Sequence, residues 1–501
     1  MRLRIKPRDL LFVILALLLV LLYTQTAGPG FPLDDSWIHQ VYARNLAQTG
    51  EWAFIPGQPS AASTSPLYTV VLAFGYLLNL PYGLWTHLVG ALALAVTAML
   101  GARLAEKLAP QTKHAGWLTG LALVLSWHLT WAAVSGMETV IFCMFTLALI
   151  ALCWRELDAE PAHSALRGVG FGVVAGLTTL TRPEGVLLVG MAGLIVLIMK
   201  RRLYWSVLAA VAFLVVMTPY LLLNYSITGG LLPDTASAKV AQMMPYLAKP
   251  FFQRVIEMFI PLAAGGQILL LPGMIYYTWV QGRRLERWPY LLPVIWAVSL
   301  ILLYAARLPS FAQHGRYVIP ALPALIVVGT VGTLWLLKVG AHTMPGRVLT
   351  RTLAVSAVLA FIYFGVVAGP AVHRTDVAII EEEMVAAAMW IRDNIPQDEL
   401  LAAHDIGAVG YFAMRPLVDI AGLITPEAIP IYHDKEAIYD LMAARGAKYL
   451  MALPDQVPGG DLTDTRLCPV FVTGGDTSLQ QGGGNMTVYR LAWNHNCSDN
   501  S

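Results

Sequence analysis

The chain has 501 residues, of which 57% are hydrophobic and only 13% are charged. Soluble domains carry roughly a quarter charged residues, so this composition excludes an ordinary soluble protein and indicates a polytopic helical membrane protein. A net charge of +2 says little about partners. The sequence contains no basic patch with interleaved aromatic residues, and we therefore expect no nucleic-acid partner.

A basic segment, MRLRIKPR, precedes the first apolar run at residues 10–27. A cleaved signal peptide begins in the same way, but about 18 apolar residues are enough to cross a bilayer as an uncleaved anchor. Because positive charges stay on the cytoplasmic side, we expect the segment that follows this anchor on the outer side of the membrane.

That segment, residues 33–66, reads LDDSWIHQVYARNLAQTGEWAFIPGQPSAASTSP. Its adjacent acids, Asp34 and Asp35, are costly beside a membrane unless they face water, a cation or a reacting group. Apolar residues behind them recur at helical spacing, which predicts a short amphipathic helix on the membrane surface. Helix capping is the structural alternative for either acid. We interpret at least one of the two as catalytic.

The remaining apolar runs predict further membrane spans. Residues 67–80 are too short to span, and we predict a horizontal or half-buried helix there. The other runs make about eleven crossings together with the first, at residues 85–104, 115–132, 139–153, 168–181, 186–199, 204–224, 267–280, 290–305, 318–337 and 353–370. Basic residues fall on cytoplasmic loops only if residues 67–80 are not counted as a crossing.

Beyond residue 370 the sequence becomes polar, which predicts a transmembrane domain at residues 1–370 and a soluble extracytoplasmic α/β domain at residues 371–501. Two helical and four strand-like patterns alternate in this region, at residues 384–394 and 435–445 and at residues 400–403, 449–452, 470–472 and 486–491. Cys468 and Cys497 also lie here, and their spacing leaves open whether they form a disulfide.

Two further segments carry acids or a cation at predicted outer turns. Glu138 in SGMET lies on the side of Asp34, and it is either a second active-site carboxylate or a first-turn helix acid. Arg182 in LTRPEG either pairs with Glu184 or reaches a lipid phosphate. No His or Cys cluster has metal-ligand spacing, so no metal site is predicted; a divalent cation between Asp34 and Glu138 is conceivable but unsupported.

Other outer-side residues are candidate ligands of a substrate. Lys239, His314 and Arg316 are cations that suit a phosphate headgroup, although ordinary lipid headgroups attract them equally well. Arg316 is the best candidate, because it directly precedes an apolar span. Tyr42 and Arg44 share the loop of Asp34 and are candidate sugar contacts.

Taken together, these segments resemble the GT-C membrane glycosyltransferases, in particular the mycobacterial terminal arabinofuranosyltransferase group. The first outer loop has that group's succession of a DD motif, a YARNLA segment, a PG turn and a TSPL end. SGMET, LTRPEG, LLPDTASAK and GRYVIPALPAL follow in the same order. HDIGAVGYFAMRPLVDIAGLITPE is similar to the group's soluble domain.

The resemblance implies a GT-C fold, a polyprenyl-phosphate sugar donor, an extracytoplasmic active site and inversion at the anomeric carbon. It places the catalytic base on Asp34 and matches Arg316 and Lys239 to a conserved-motif arginine and lysine of the group. This chain departs from the pattern at Asp234, where an Asn is expected, and at residues 313–315, where an acid is expected. These departures leave the sugar unassigned.

We therefore predict a multi-pass glycosyltransferase of the plasma or inner membrane that moves a sugar to a cell-envelope glycan, lipid or protein. Asp35 and Glu138 would orient the acceptor or stabilise charge, and Arg316, Lys239 or Arg182 would hold the leaving phosphate. A flippase of lipid-linked glycans and a non-catalytic glycan-binding scaffold remain alternatives. Transporters place charges near the bilayer midplane, often in repeated halves, whereas here the charges gather at one predicted face.

Overall fold

The computed structural model describes residues 6–161, 163–231, 235–493 and 497. Asp234, one of the two departures from the resemblance, lies outside these residues. Long apolar runs satisfy their backbone groups in a membrane by forming helices, and helices dominate the chain. The first half contains α1 (Pro7–Ala27), α2 (Asp34–Thr49), α3 (Pro66–Leu77), α4 (Tyr82–Leu108), α5 (Ala115–Val124), α6 (Trp127–Val134), α7 (Thr139–Asp158), α8 (Ser164–Thr181), α9 (Gly185–Lys200), α10 (Leu203–Thr228), α11 (Thr235–Gln242) and α12 (Met244–Leu247).

The second half contains α13 (Phe251–Ala263), α14 (Leu271–Gly282), α15 (Leu292–Arg307), α16 (Ala312–Gly315), α17 (Leu322–Gly340), α18 (Met344–Tyr363), α19 (Gly369–Ile379), α20 (Ala386–Asn394), α21 (Gly407–Phe412), α22 (Lys435–Arg445) and α23 (Asp476–Gln480). Two π-helical turns join α18, α19 and α20 into one helix over Met344–Asn394. Short 3-10 turns lie at Gly266–Leu270, Leu285–Leu291, Ile319–Ala321, Pro426–Ile431, Pro454–Gln456 and Pro458–Gly460.

Among the described residues, seven helices are long and apolar enough to cross a membrane, or up to nine if two bent pairs each count as one span. The bent pairs are α5 with α6, at 51°, and α13 with α14, at 104°. The other predicted spans fall on α8, with 18 residues, and α9, with 16. A multi-pass membrane protein is thus confirmed, whereas the count of about eleven crossings is not.

A mixed sheet forms the C-terminal part of the chain. Its strands are β3 (Leu401–Ala403), β4 (Leu417–Asp419), β5 (Tyr449–Ala452), β6 (Leu467–Val472) and β7 (Thr487–Leu491), after a small hairpin of β1 (Ala53–Ile55) and β2 (Gln58–Pro59). The strand order is β4-β3-β5-β7-β6. The first three strands are parallel, and β7 is antiparallel to β5 and β6. The expected α/β character is confirmed, but β4 and α21 were not predicted.

Contacts divide the chain into two compact units. One, the helical unit, comprises residues 1–26, 87–220 and 246–371 and holds most of the apolar helices. The other, the mixed unit, comprises residues 27–86, 221–245 and 372–501. The mixed unit therefore combines the first predicted outer loop with the sheet and with α11.

Helix α2 lies in the hydrophobic core of the mixed unit. Fully buried Trp37 packs against Phe31, Tyr82, Tyr411 and Phe412, with ring centroids 4.7 to 5.3 Å from its own. Burying a large aromatic side chain contributes about 1.5–3 kcal/mol. The expected helix is present, but its amphipathic character is not, because polar as well as apolar side chains of α2 are buried within the unit.

The four cysteines differ in pairing between the C-terminal region and the apolar helix α7. Cys468 and Cys497 form a disulfide with their Cα atoms 5.4 Å apart, which decides the pairing that the sequence left open. Cys143 and Cys153 are free and buried in α7. A disulfide persists in oxidising compartments and is rare in the cytosol.

Candidate active site

Asp34, the first residue of α2, is buried and is held by the start of another helix. Its Oδ2 and Oδ1 accept hydrogen bonds from the backbone N–H groups of Gly407 (2.7 Å) and Ala408 (2.8 Å). The first N–H groups of a helix lack partners within the helix, and a carboxylate satisfies them well. A Cβ on Gly407 would lie 2.0 Å from the Asp34 carbonyl oxygen. Glycine is therefore required at position 407 for Asp34 to cap α21.

The other end of α21 is held by the same helix α2. Arg44 donates to the Tyr411 carbonyl (2.8 Å), and its guanidinium carbon lies 4.9 Å from the centre of the Tyr411 ring. Tyr42, fully buried, has its hydroxyl 2.6 Å from Ser60 Oγ and accepts from the backbone N–H of Ala62 (3.0 Å). Both candidate sugar contacts thus bind protein groups: Arg44 holds the end of α21, and Tyr42 holds the loop at Ser60 and Ala62.

A set of polar side chains lies at the carboxyl ends of the three parallel strands. His404 and Asp405 directly follow β3, Asp419 ends β4, and Gln456 follows β5. Because parallel strands end at the same edge of a sheet, and ligands bind at this edge in α/β folds, the position is one where sites are expected. The segment His404–Ala408 also supplies the two N–H groups that bind Asp34.

Hydrogen bonds organise this edge. His404 Nδ1 lies 3.0 Å from Asp405 Oδ1, Gln456 donates to Asp405 Oδ2 (2.7 Å), and His404 Nε2 lies 3.1 Å from the Tyr432 hydroxyl. Burial opposes ionisation of Asp405, but the His404 and Gln456 bonds outweigh it and lower the pKa of Asp405. Burial likewise opposes protonation of His404, and Asp405 nevertheless raises the pKa of His404. Both shifts favour the ion-paired form of His404 and Asp405.

The environment of Asp34 suits a general base. Burial raises the pKa of Asp34 from 3.8 to about 7, and the charges of Asp405 and Asp35 add to this effect against the two backbone N–H bonds. A base is most effective when its pKa lies near the working pH. Asp35 Oδ1 lies 3.7 Å from Lys239 Nζ, and both side chains are 25% exposed.

Asp419 is also buried, but its role is structural. Its carboxylate accepts hydrogen bonds from the backbone N–H groups of Ala421 (2.8 Å), Gly422 (3.1 Å) and Ile424 (2.8 Å). These bonds close the turn that follows β4. Burial raises the pKa of Asp419, and the bonds from Ile424 and Ala421 oppose the shift.

Sequence reasoning missed His404, Asp405, Tyr432 and Gln456 as site residues. The HDIGAVGY segment was recognised only as part of a resemblance. A usable signal was present, because His404 and Asp405 directly follow a predicted strand. The sequence alone did not show the parallel strand order, which brings Gln456 to the same edge from 51 residues further along the chain.

Within the helical unit, Arg182 lies between two carboxylates. Its guanidinium is 3.2 Å from Glu138 Oε1 and 3.0 Å from Glu184 Oε1, and it donates to the Tyr304 hydroxyl (2.8 Å). Arg182 and Glu138 are 7% and 3% exposed. The pair with Glu184, one of the two alternatives considered for Arg182, is present, and Glu138 extends it to a buried ion-pair cluster.

Arg316 and His314 occupy a strained turn of the helical unit. Gln313 and His314 have φ of 53° and 58°, left-handed values that cost non-glycine residues of the order of 1–3 kcal/mol each. The His314 ring lies 5.2 and 5.3 Å from the rings of Trp127 and Trp131. Arg316 is buried, donates to the Tyr317 hydroxyl (2.9 Å) and lies over that ring.

The predicted site residues thus divide between the two units. Those of the mixed unit are Asp34, Asp35, Tyr42, Arg44 and Lys239, and those of the helical unit are Glu138, Arg182, His314 and Arg316. Throughout the described ranges, no group of three or more His, Cys, Asp or Glu side chains is placed to hold a metal ion.

Comparison with known proteins gives two sequence matches. A family model described as a domain of unknown function (DUF8728) matches residues 375–489. The terminal beta-(1->2)-arabinofuranosyltransferase of Mycobacterium tuberculosis (strain ATCC 25618 / H37Rv) is 29% identical over 343 residues, which are 64% of this chain and 50% of the relative. The chain therefore spans about half the length of the curated relative that it matches.

Two solved structures share the fold over nearly the whole chain. The crystal structure of ArnT from Cupriavidus metallidurans bound to undecaprenyl phosphate matches with a TM-score of 0.61 at 16% identity, covering 97% of this chain and 98% of that one. The oligosaccharyltransferase of Archaeoglobus fulgidus in the apo form matches with a TM-score of 0.59 at 10% identity, covering 98% and 75%. These likenesses confirm the expected GT-C fold.

Proposed function

We propose that this chain, which has the GT-C fold and resembles the mycobacterial arabinofuranosyltransferases, is an inverting membrane glycosyltransferase with a polyprenyl-phosphate sugar donor. The observation that carries the proposal is the buried carboxylate of Asp34, whose pKa is raised to about 7 beside two further acids. That is the protonation behaviour required of a base that deprotonates a hydroxyl at neutral pH.

The proposed reaction is a single displacement. Asp34 takes the proton of an acceptor hydroxyl, the acceptor oxygen forms a bond to the anomeric carbon, and the bond from that carbon to the phosphate oxygen breaks. The lipid phosphate leaves with the electron pair, so it needs no general acid, and one carboxylate base is sufficient. Attack opposite the leaving group inverts the anomeric configuration.

Lys239 is proposed to stabilise the leaving phosphate. Its ammonium lies beside Asp35, the residue next to the base, and it is partly exposed and therefore accessible to a ligand. For Arg316, in the helical unit, a phosphate-binding role is proposed from its chemistry alone, since a guanidinium binds phosphate through two parallel hydrogen bonds. Arg182 is a weaker candidate, because Glu138 and Glu184 already balance its charge.

We place the mixed unit outside the cytoplasm, in the plasma or inner membrane of a cell, with an envelope glycan, lipid or protein as acceptor. The disulfide between Cys468 and Cys497 supports this side of the membrane, since cytosolic thiols are kept reduced. ArnT, which shares the fold, was solved with undecaprenyl phosphate bound, and this supports a lipid-phosphate donor.

The pH dependence of activity follows from the charges around Asp34. Only ionised Asp34 accepts a proton, so kcat/KM is expected to rise with pH through an apparent pKa near 7. In Asp405→Asn a neighbouring negative charge is lost, ionised Asp34 becomes less unfavourable, and the rise should move to lower pH. A pH series of initial rates for both proteins measures the shift, and a rise that stays in place or moves upward contradicts this electrostatic account.

The experiment that tests the function uses purified full-length protein in proteoliposomes. Each member of a panel of polyprenyl-phosphate sugars is added with octyl glycosides as acceptors, and released lipid phosphate is measured. Acceptor-dependent release from one donor supports the proposal. Movement of intact donor between leaflets without release would instead indicate a flippase.

A further inference from the structure

The carboxyl edge of the parallel strands carries a polar surface that the proposed reaction has not used. We define the carboxyl-edge site as His404, Asp405, Tyr432 and Gln456. The side chains of His404 and Asp405 are 15% and 23% exposed, so a ligand can reach them. Asp34, which is bound to the same segment through Gly407 and Ala408, is more deeply buried.

We propose that the carboxyl-edge site binds the acceptor sugar through its hydroxyl groups. This inference rests on the proposed function and deepens it. It assigns the binding of the acceptor, a neutral polyhydroxylated ligand, to the region that the family model matches, residues 375–489.

The hydrogen-bonding groups of the carboxyl-edge site match those of a sugar. A sugar hydroxyl both donates and accepts, so a binding site for it needs donors and acceptors side by side. The carboxyl-edge site offers the Asp405 carboxylate, the Tyr432 hydroxyl, the Gln456 amide and the His404 imidazole, already linked in one network. Such a network holds each group in a fixed orientation, which lowers the entropic cost of binding.

The charge of the carboxyl-edge site also favours a neutral ligand. Asp405 is negative and faces His404, and Tyr432 and Gln456 are neutral. Lys239 acts electrostatically on His404 and Tyr432, but its ammonium lies 3.7 Å from the Asp35 carboxylate, so the carboxyl-edge site has no excess positive charge. A phosphate ligand is normally met by cations or by a helix N-terminus, and the N-terminus of α21 is already occupied by Asp34. The donor phosphate is thus better matched to Lys239, and the neutral acceptor is better matched to the carboxyl-edge site.

The position of the carboxyl-edge site relates it to the base. The segment from His404 to Ala408 carries two groups of the carboxyl-edge site at one end and the N–H groups that hold the base at the other. Asp405 is also near enough to Asp34 for its charge to act on that carboxylate. A sugar held by His404 and Asp405 through some of its hydroxyls therefore has others near Asp34. This is the geometry needed for a base to act on one hydroxyl while others are held.

Two minimal variants test the inference. Tyr432→Phe removes one hydroxyl from a half-buried ring, and Gln456→Met removes the amide at similar volume. The matched control is Lys448→Gln, which breaks the pair of Lys448 with Glu399 (3.0 Å). Lys448 precedes β5 and Glu399 precedes β3, so this pair lies at the opposite edge of the same strands. Thermal unfolding of all three shows whether each variant is folded.

In the transfer assay, each carboxyl-edge variant is expected to raise the KM for the octyl glycoside acceptor by about three- to tenfold. The KM for the donor should stay at the wild-type value, and Lys448→Gln should change neither. Unchanged acceptor KM in both variants, or an equal rise of both KM values, overturns the inference, because a structural defect would affect both substrates.

Binding of octyl arabinofuranoside, mannoside and glucoside is measured separately by saturation-transfer NMR, so the inference does not depend on turnover. If the wild-type protein binds a glycoside and Tyr432→Phe weakens that binding, the inference is supported even when no donor is consumed. In that case only the proposed function fails. If the wild-type protein binds none of the three glycosides, the inference fails.

Discussion

Replacement of Asp34 by Asn is expected to lower sugar-transfer turnover by about 10²- to 10⁴-fold, the usual contribution of a general base. The amide keeps the size of the carboxylate but cannot accept the acceptor's proton. The KM for the donor should change little, because the substitution removes the proton acceptor of the chemical step and leaves the donor's binding groups in place. Initial rates with saturating donor and acceptor in proteoliposomes measure the effect.

This substitution also has a structural cost that needs a control. Asp34 accepts from two backbone N–H groups, and the NH2 of Asn would face one of them, which costs about 1–3 kcal/mol. Asp419→Asn is the matched variant, since Asp419 is buried and accepts from three backbone N–H groups. Similar destabilisation with near wild-type turnover is expected for Asp419→Asn. Equal loss of turnover in both variants would remove Asp34 from the role of base.

Replacement of Arg182 by Met is expected to destabilise the helical unit by about 3–5 kcal/mol, the cost of leaving buried charges without their partner. Glu138 and Glu184 both lie within 3.2 Å of this guanidinium. Without it, two carboxylates would remain in a buried environment with no compensating charge. Thermal unfolding in detergent, followed by intrinsic fluorescence, reports the loss.

Two comparisons isolate the ion pair. Adding Glu138→Gln to Arg182→Met should recover part of the stability, because one of the uncompensated charges is removed. Arg445→Met breaks an exposed pair with Glu427, whose members are 48% and 57% exposed, and should cost only about 0–1 kcal/mol. If the two arginine variants unfold alike, the Arg182 cluster does not stabilise the protein.

Most of the architecture could be predicted from local patterns. Each apolar run lies on a helix, because hydrophobic composition decides membrane helices without reference to partners. Helix α22 and the strands β3, β5, β6 and β7 were also expected, within a few residues. By contrast, α21 contains two glycines in six residues, which lowers its helix propensity, and β4 was not recognised although it is as long as β3.

The candidate site could be predicted only in part, for a related reason. Asp34 could be predicted as a site residue because adjacent acids beside an apolar run are unusual. Its hydrogen-bond partners could not be predicted. Its partners lie 373 and 374 residues away, on a helix that local propensity does not predict. Gln456 reaches Asp405 only through the order of β3 and β5 in the sheet.

The stereochemistry of the product tests the account most directly. A polyprenyl-phosphate sugar of known anomeric configuration is given to the wild-type protein in proteoliposomes with an octyl glycoside, and the new linkage is analysed by NMR. The account predicts a product of the opposite anomeric configuration, with one lipid phosphate released for each linkage formed. Retention of configuration would contradict displacement by one base, and absence of any linkage with every donor would contradict sugar transfer itself.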